Sequence, residues 1–277
     1  MPELPEVETI RRTLQTVVIG KTIDQVHVFW PNIIKEPADS EEFSLMLKGQ
    51  TCRNVLRKGK FLIFHFDDLA LVSHLRMEGK YILFPKDEPM DSHTHVVFRF
   101  TDDTELHYRD VRKFGTMHIF PIGTEFDHLP LSKLGPEVFD PEFSNGYFSS
   151  VLKKTTRKIK PVLLDQTIVS GLGNIYVDEA LFRASIHPER FAHSLTKLES
   201  NRLRKEMIRL LQEAVEKGGS TIRTYINSQG KIGTFQFELQ VYGKEKTPCI
   251  RCGTEIQKTK VGGRGTHYCP TCQKLPD

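Results

Sequence analysis

Apolar residues recur at Val7, Ile10, Leu14 and Val17 or Val18, one per helical turn, and this spacing predicts a helix that Pro5 is placed to open. The period then shortens. "FLIFHF" and "HVVFRF" are brief apolar or alternating runs. Each leads into an acidic turn pair, Asp67-Asp68 or Asp102-Asp103, and then into a partner run, "LALVSHL" or "ELHYRDV". Hairpins packed as a sandwich or barrel are expected over the first ~130 residues. Leu129 to Phe143 is rich in Pro and polar residues and reads as a linker. Beyond it the helical period returns. Thr196 and Glu199 form a capping box, Leu203, Met207, Leu210, Leu211 and Ala214 make one apolar face, and Gly218-Gly219 ends the helix.

Composition narrows the setting. A chain of 277 residues has room for two domains, since single cores stop growing near ~250 residues. No run approaches the ~18 apolar residues of a membrane span, and Glu3, Glu6 and Glu8 stand where a signal peptide carries bases. A cytoplasmic protein is expected. The net charge is +4, and Gly243 to Asp277 holds seven Lys or Arg against three acids, so this tail carries the whole excess. A second cluster, "KKTTRKIK" from Lys153 to Lys160, contains five bases and no acid. Either cluster alone reads as a solvated face; the two together favour a polyanion such as nucleic acid.

Cys249-x2-Cys252 and Cys269-x2-Cys272, sixteen residues apart, have the spacing of a four-cysteine zinc site. With every ligand position filled by a thiolate, the metal is expected to be structural. Cys52 reads as an indifferent buried thiol. Between the pairs, two strand-like arms meet at Gly262-Gly263-Arg264-Gly265, which would offer Arg264 to a phosphate; a solvated turn arginine is the plainer alternative. Gly171 and Gly173 precede Asn174 and a helix containing Ile175, Ala180, Leu181 and Phe182, the layout of an anion site at a helix N-terminus.

Taken together, "PELPEV", "LRMEG", "YRDVRKFGT", "GLGNIYVDEALF", "GGSTIRTY" with "GTFQ", and "GRGTHYCP" run in order along nearly the whole chain. This set resembles the formamidopyrimidine-DNA glycosylases, bacterial enzymes that excise oxidised purines from DNA. The sister group, endonuclease VIII, usually begins Pro-Glu-Gly-Pro-Glu, so Leu4 favours the oxidised-purine branch. The resemblance implies an α+β protein of two lobes with DNA in the cleft. An N-terminal β-sandwich with a leading helix would span 1-130. A helix-two-turns-helix domain would span 131-240, with a base-capping loop at about 218-237, and a zinc-finger hairpin 241-277. A monomer acting on double-stranded DNA, with one structural zinc and no membrane, is expected.

The same resemblance implies roles. Removal of Met1 would free the secondary amine of Pro2, and an α-amino group titrates near ~8, so a useful fraction is nucleophilic at neutral pH. Pro2 would attack C1′, form an iminium and permit β- and then δ-elimination, with Glu3 moving protons and Glu6 positioning the terminus. Lys60 and Arg264 would assist at the phosphates, and Lys160 and Asn174 would grip phosphates beside the extruded nucleotide. Met77, Arg112 and Phe114 match the set that fills the hole left by a flipped base. His93, Glu78, Ser220 and Thr224 are further candidate contacts. Two rivals from other classes stand beside this reading: a zinc-dependent binder of damaged DNA without catalysis, and a proline-amine tautomerase, which leaves the zinc tail without a role.

Overall fold

The computed structural model describes residues 1–220 and 233–275. Its chain divides into two compact units, Met1–Ser132 and a second made of Lys133–Ser220 with the chain from Thr234 onward.

The first unit opens with helix α1 (Leu4–Val18), whose N-cap is Glu3 and whose second residue is Pro5. Glu3 and Glu6 form a reciprocal capping box, and Glu6 Oε2 accepts the backbone N–H of Glu3 at 2.8 Å. The apolar stripe Val7, Ile10, Leu14 and Val18 is buried. Next come β1 (Ile23–Val28), β2 (Ile34–Glu36), α2 (Ser40–Leu47), β3 (Asn54–Lys58), β4 (Phe61–His65), β5 (Leu69–His74), β6 (Lys80–Pro85), β7 (Thr94–Phe100), β8 (Thr104–Arg109) and β9 (Thr116–Pro121). One sheet has the order β1-β7-β8-β6, the other β2-β9-β5-β4-β3. The two expected hairpins are present in register, Phe61 opposite His74 and Phe98 opposite Leu106. Phe64, Tyr81, Phe98 and Leu106 share one buried core, to which each apolar side chain contributes ~1.5–3 kcal/mol. Cys52 lies in it, its thiol pushed up to about 12 by burial.

The second unit contains α3 (Asn145–Lys153), α4 (Ile159–Leu164), α5 (Asn174–Arg183), α6 (Lys197–Glu216) and the hairpin β10 (Gln257–Val261) and β11 (Arg264–Tyr268). Two turns join α4 to α5, braced by Gln166, whose amide donates to Leu164 O and Leu172 O while its oxygen accepts from Gly171 N. Helix α6 has the Thr196/Glu199 capping box. It stops in a Schellman turn, with Gly219 N donating to Ala214 O and Gly218 N to Val215 O. Both glycines have positive φ.

The stretch Leu129 to Phe143, read as a linker, contains the boundary between the two units after Ser132, and it is packed: Leu131, Val138 and Phe143 are buried and Gly135 pairs with Gln166 and Ser170. The charges of the basic run Lys153 to Lys160 are mostly partnered within their own unit. Arg157 pairs with Asp165 at 2.9 Å, Lys158 with Glu189, and Lys153 donates to His193 O. No helix among the described residues is long and apolar enough to cross a membrane.

Candidate active site and nucleic-acid interface

Pro2 and Glu3 are buried at the amino end of α1. The Glu6 carboxylate takes the first free N–H of the helix and so fixes the peptide next to Pro2. Farther along the same helix, Glu8 pairs with Arg11 and Arg12 and, at 3.1 Å, with Arg57 of β3. Arg57 also donates to Gly59 O at 3.0 Å. This bridge ties the first turns of α1 to the β3–β4 turn, where Gly59 has φ +57 and Lys60 is only 6% exposed. Burial opposes ionisation of Glu8, but the three guanidiniums outweigh it and hold its carboxyl at about 2.

Sequence reasoning missed His74. It ends β5 against Phe61, ring centroids 4.5 Å apart, and its Nδ1 accepts the N–H of Arg76 at 2.9 Å. Burial, reinforced by the positive charges of Arg76 and Lys60, pulls it down to about 3, so it is neutral at physiological pH. The available signal was its place directly before "LRMEG".

Met77, Arg112 and Phe114 lie at the surface of this unit, Met77 and Phe114 37% and 52% exposed. An exposed methionine and phenylalanine on short loops depart from ordinary core placement. The Arg112 guanidinium lies over the Phe114 ring, 4.8 Å from its centroid. The two loops meet at one buried hydroxyl. A Cβ on Gly79 would lie 2.5 Å from Tyr108 Oη, and one on Gly115 1.7 Å from it, so both positions require glycine. Glu78 is half-buried beside Met77; His93 is half-buried, its N–H donating to Asp91 Oδ1.

In the second unit, Asn174 begins α5 and its Nδ2 donates to Gly265 O at 2.9 Å. Lys160 corrects an expectation. Its side chain has no solvent exposure, and its ammonium is spent on Asp178 Oδ1 at 2.6 Å and Gly265 O at 2.9 Å. It anchors the hairpin from inside, where a charge must be paired, and does not stand out to grip a phosphate. Asp178 Oδ2 accepts His267 N, and Pro161 packs against Gly262, where a Cβ would lie 2.7 Å from Cγ. The hairpin tip is thereby fixed and Arg264 remains exposed, with no carboxylate partner among the described residues.

Neighbouring Glu179 is fully buried and accepts the N–H groups of Gln240, Val241 and Tyr242. Burial pushes its carboxyl up despite those bonds. Ser220 is buried just after the Schellman turn; Thr224, and most of the expected base-capping loop, lie outside the described residues. Among the described residues, Thr234 N donates to Lys217 O and Phe235 N to Gly219 O, which ties Thr234 and Phe235 to the end of α6.

The sulfurs of Cys249, Cys252, Cys269 and Cys272 lie within 4.8 Å of one another. Cys249 and Cys272 are 3.9 Å apart and Cys252 and Cys269 3.5 Å, near the edge of a tetrahedron with ~2.3 Å Zn–S bonds. Backbone N–H groups of Arg251 and Cys272 donate to Cys249 and Cys269 Sγ. Burial pushes the Cys269 and Cys272 thiols up, whereas hydrogen bonding with Thr254 pulls Cys252 down to about 6, and four sulfurs this close repel one another as thiolates unless a cation sits between them. The donor set fits one structural zinc.

Three family models match the chain: the formamidopyrimidine-DNA glycosylase N-terminal domain over residues 1–117, its H2TH domain over 134–226, and a zinc finger found in FPG and IleRS over 247–275. Formamidopyrimidine-DNA glycosylase of Bacillus licheniformis is 62% identical over 99% of this chain and 100% of its own length. That of Bacillus subtilis is 58% identical over 99% of each. Among solved structures, a Lactococcus lactis FPG mutant with Fapy-dG DNA is 46% identical with a TM-score of 0.94, covering 99% of this chain and 100% of that one. The Lactococcus lactis Fpg complex with abasic-site DNA is 46% identical with a TM-score of 0.93 over the same shares.

Proposed function

The chain belongs to the formamidopyrimidine-DNA glycosylase family, and on that premise we propose how its residues remove an oxidised purine from duplex DNA and cut the abasic site left behind. It is a DNA-repair glycosylase and abasic-site lyase that carries one structural zinc and takes damaged DNA as its partner. The observation that carries the residue assignment is the clamp of Glu6 on the N–H of Glu3, which holds Pro2 at a fixed point on the amino end of α1.

Once Met1 is removed, the secondary amine of Pro2 adds to C1′, and the N-glycosidic electron pair leaves with the base, which takes up a proton. Glu3 passes a proton to O4′ as the sugar ring opens, leaving an iminium between Pro2 N and C1′. The iminium acidifies the C2′ hydrogen. Its loss expels the 3′-phosphate, a second elimination expels the 5′-phosphate, and water releases the sugar remnant from Pro2. A one-nucleotide gap remains.

Lys60 and Arg264 act on the phosphates, the first from the turn tied to α1 by Arg57 and the second from the zinc hairpin. Asn174 addresses a phosphate at the start of α5, with Lys160 setting the hairpin behind it. Met77, Arg112 and Phe114 fill the space vacated by the flipped nucleotide, Arg112 meeting the orphaned cytosine. His93, Glu78, Ser220 and Thr224 contribute contacts near the extruded base. The protein works in the cytoplasm as a monomer.

Borohydride reduction in the presence of DNA containing 8-oxoguanine is expected to trap a covalent adduct on the Pro2 nitrogen, identified by peptide mass spectrometry. An adduct on a lysine would overturn the assignment of the nucleophile. A binder without catalysis would give no adduct at all.

A further inference from the structure

Resting on the reading of Arg112 and Phe114 as the void-filling pair, we propose that the buried carboxylate of Asp110 is the positioning residue of that pair and sets the preference for the base opposite the lesion. Asp110 follows β8 directly and is 1% exposed. Its Oδ1 accepts the N–H of Arg112 at 3.1 Å, and its Oδ2 accepts those of Phe114 at 2.9 Å and Gly115 at 2.8 Å. One side chain therefore satisfies three backbone donors of a six-residue loop, which wraps around the carboxylate as it would around a bound anion.

The carboxylate is itself immobilised. Asp110 N donates to His93 O at 3.0 Å, and Asp110 O accepts from His95 Nε2 at 2.9 Å and from Lys113 N at 3.2 Å. On the other side of the loop, Lys113 has φ +58 and its ammonium sits over Trp30, 4.0 Å from the ring centroid. Gly115 closes the loop against Tyr108 with no room for a side chain. Arg112 and Phe114, exposed and stacked on each other, thus project from a backbone that is fixed before any DNA arrives. A guanidinium discriminates between two bases only if its donors are held in place, because a mobile side chain can follow either acceptor pattern.

Asp110→Asn isolates the effect. An amide offers one acceptor oxygen and one donor NH₂, so if its oxygen keeps Phe114 and Gly115, its NH₂ faces the N–H of Arg112. The variant is compared with the parent on duplexes carrying 8-oxoguanine opposite cytosine or adenine, and on a single-stranded abasic oligonucleotide that has no opposite base. Excision opposite cytosine is expected to fall about tenfold, equivalent to ~1.4 kcal/mol. The preference for cytosine over adenine should move toward parity, and single-strand scission should stay within about twofold of the parent. Trp30→Leu, which loosens the loop from its other side with the carboxylate intact, should shift the preference in the same direction.

An unchanged preference in both variants, or equal loss of all three activities in both, overturns the proposal. Arg112→Ala and Phe114→Ala run alongside. If these leave excision and preference untouched, the void-filling reading fails; if they alter both while Asp110→Asn and Trp30→Leu do not, only the present inference fails.

Discussion

Lys160 Nζ lies 2.6 Å from Asp178 Oδ1, and neither side chain reaches solvent. Removing one member leaves a buried charge unpaired, a loss of ~3–5 kcal/mol. Lys160→Met is therefore expected to lower the free energy of unfolding in urea by that order, with the midpoint falling accordingly. The dependence of duplex affinity on salt should keep its slope, since a lost phosphate contact would reduce it by about one charge. A reduced slope would return Lys160 to the interface.

A short tag left ahead of Pro2 converts its amine to an amide and should abolish both excision and strand scission. Duplex affinity, measured by fluorescence anisotropy, is expected to change by less than about threefold, because the exposed cation Arg264 and the Arg112 loop are untouched. Retained scission would move the nucleophile elsewhere.

Chelation or Cys249→Ser should release more than the tail. Arg251 of the first knuckle donates to Phe182 O and Arg183 O and lies over the Phe182 ring, so the knuckle is docked on the end of α5. Amide exchange is expected to rise in the hairpin and in α5 and to stay low in β3, β4 and β5, with loss of DNA binding. Unchanged binding after metal loss would contradict this.

Acid should loosen two helices in the same window. Burial raises Glu8 and Glu199, yet hydrogen bonds and charge from Arg11 and Arg57, and from Arg190 and Thr196, bring both down to about 2. Their folded values lie below the ordinary carboxylate value, so the stabilisation is complete above about 4.5 and is lost as pH falls toward about 2. Glu8→Gln should flatten the acid limb of the stability profile and leave neutral activity within a few-fold.

Gly115→Ala should be among the most damaging single changes, because the new methyl would meet Tyr108 Oη at 1.7 Å. A loss of ~2–3 kcal/mol is expected by overpacking, whereas Gly265→Ala, which meets nothing within 4 Å, should change stability by less than ~0.5 kcal/mol. Thermal melts of the two variants decide the matter.

Helix α1, the two hairpins and α6 were legible because each has a strong period and explicit start or stop residues, Pro5, the acidic turn pairs, and Thr196 with Gly218. The zinc cluster was legible because ligand spacing survives any fold around it. What sequence could not provide was burial. Lys160 reads as one more base in a run of five until its partner Asp178, eighteen residues away, is found on the next helix. Asp110 and His74 escaped notice for the same reason, since their partners are backbone N–H groups, which have no letter in the sequence.

The stacking of Lys113 on Trp30 gives the molecule an optical reporter. Trp30 is the chain's single tryptophan, so its emission originates wholly beside the loop that carries Arg112 and Phe114. An ammonium 4.0 Å from the ring perturbs the excited indole, and any displacement of Lys113 changes brightness and wavelength with no label attached. A rapid-mixing trace of the unmodified protein with duplex DNA therefore times the arrival of DNA at this loop separately from strand scission.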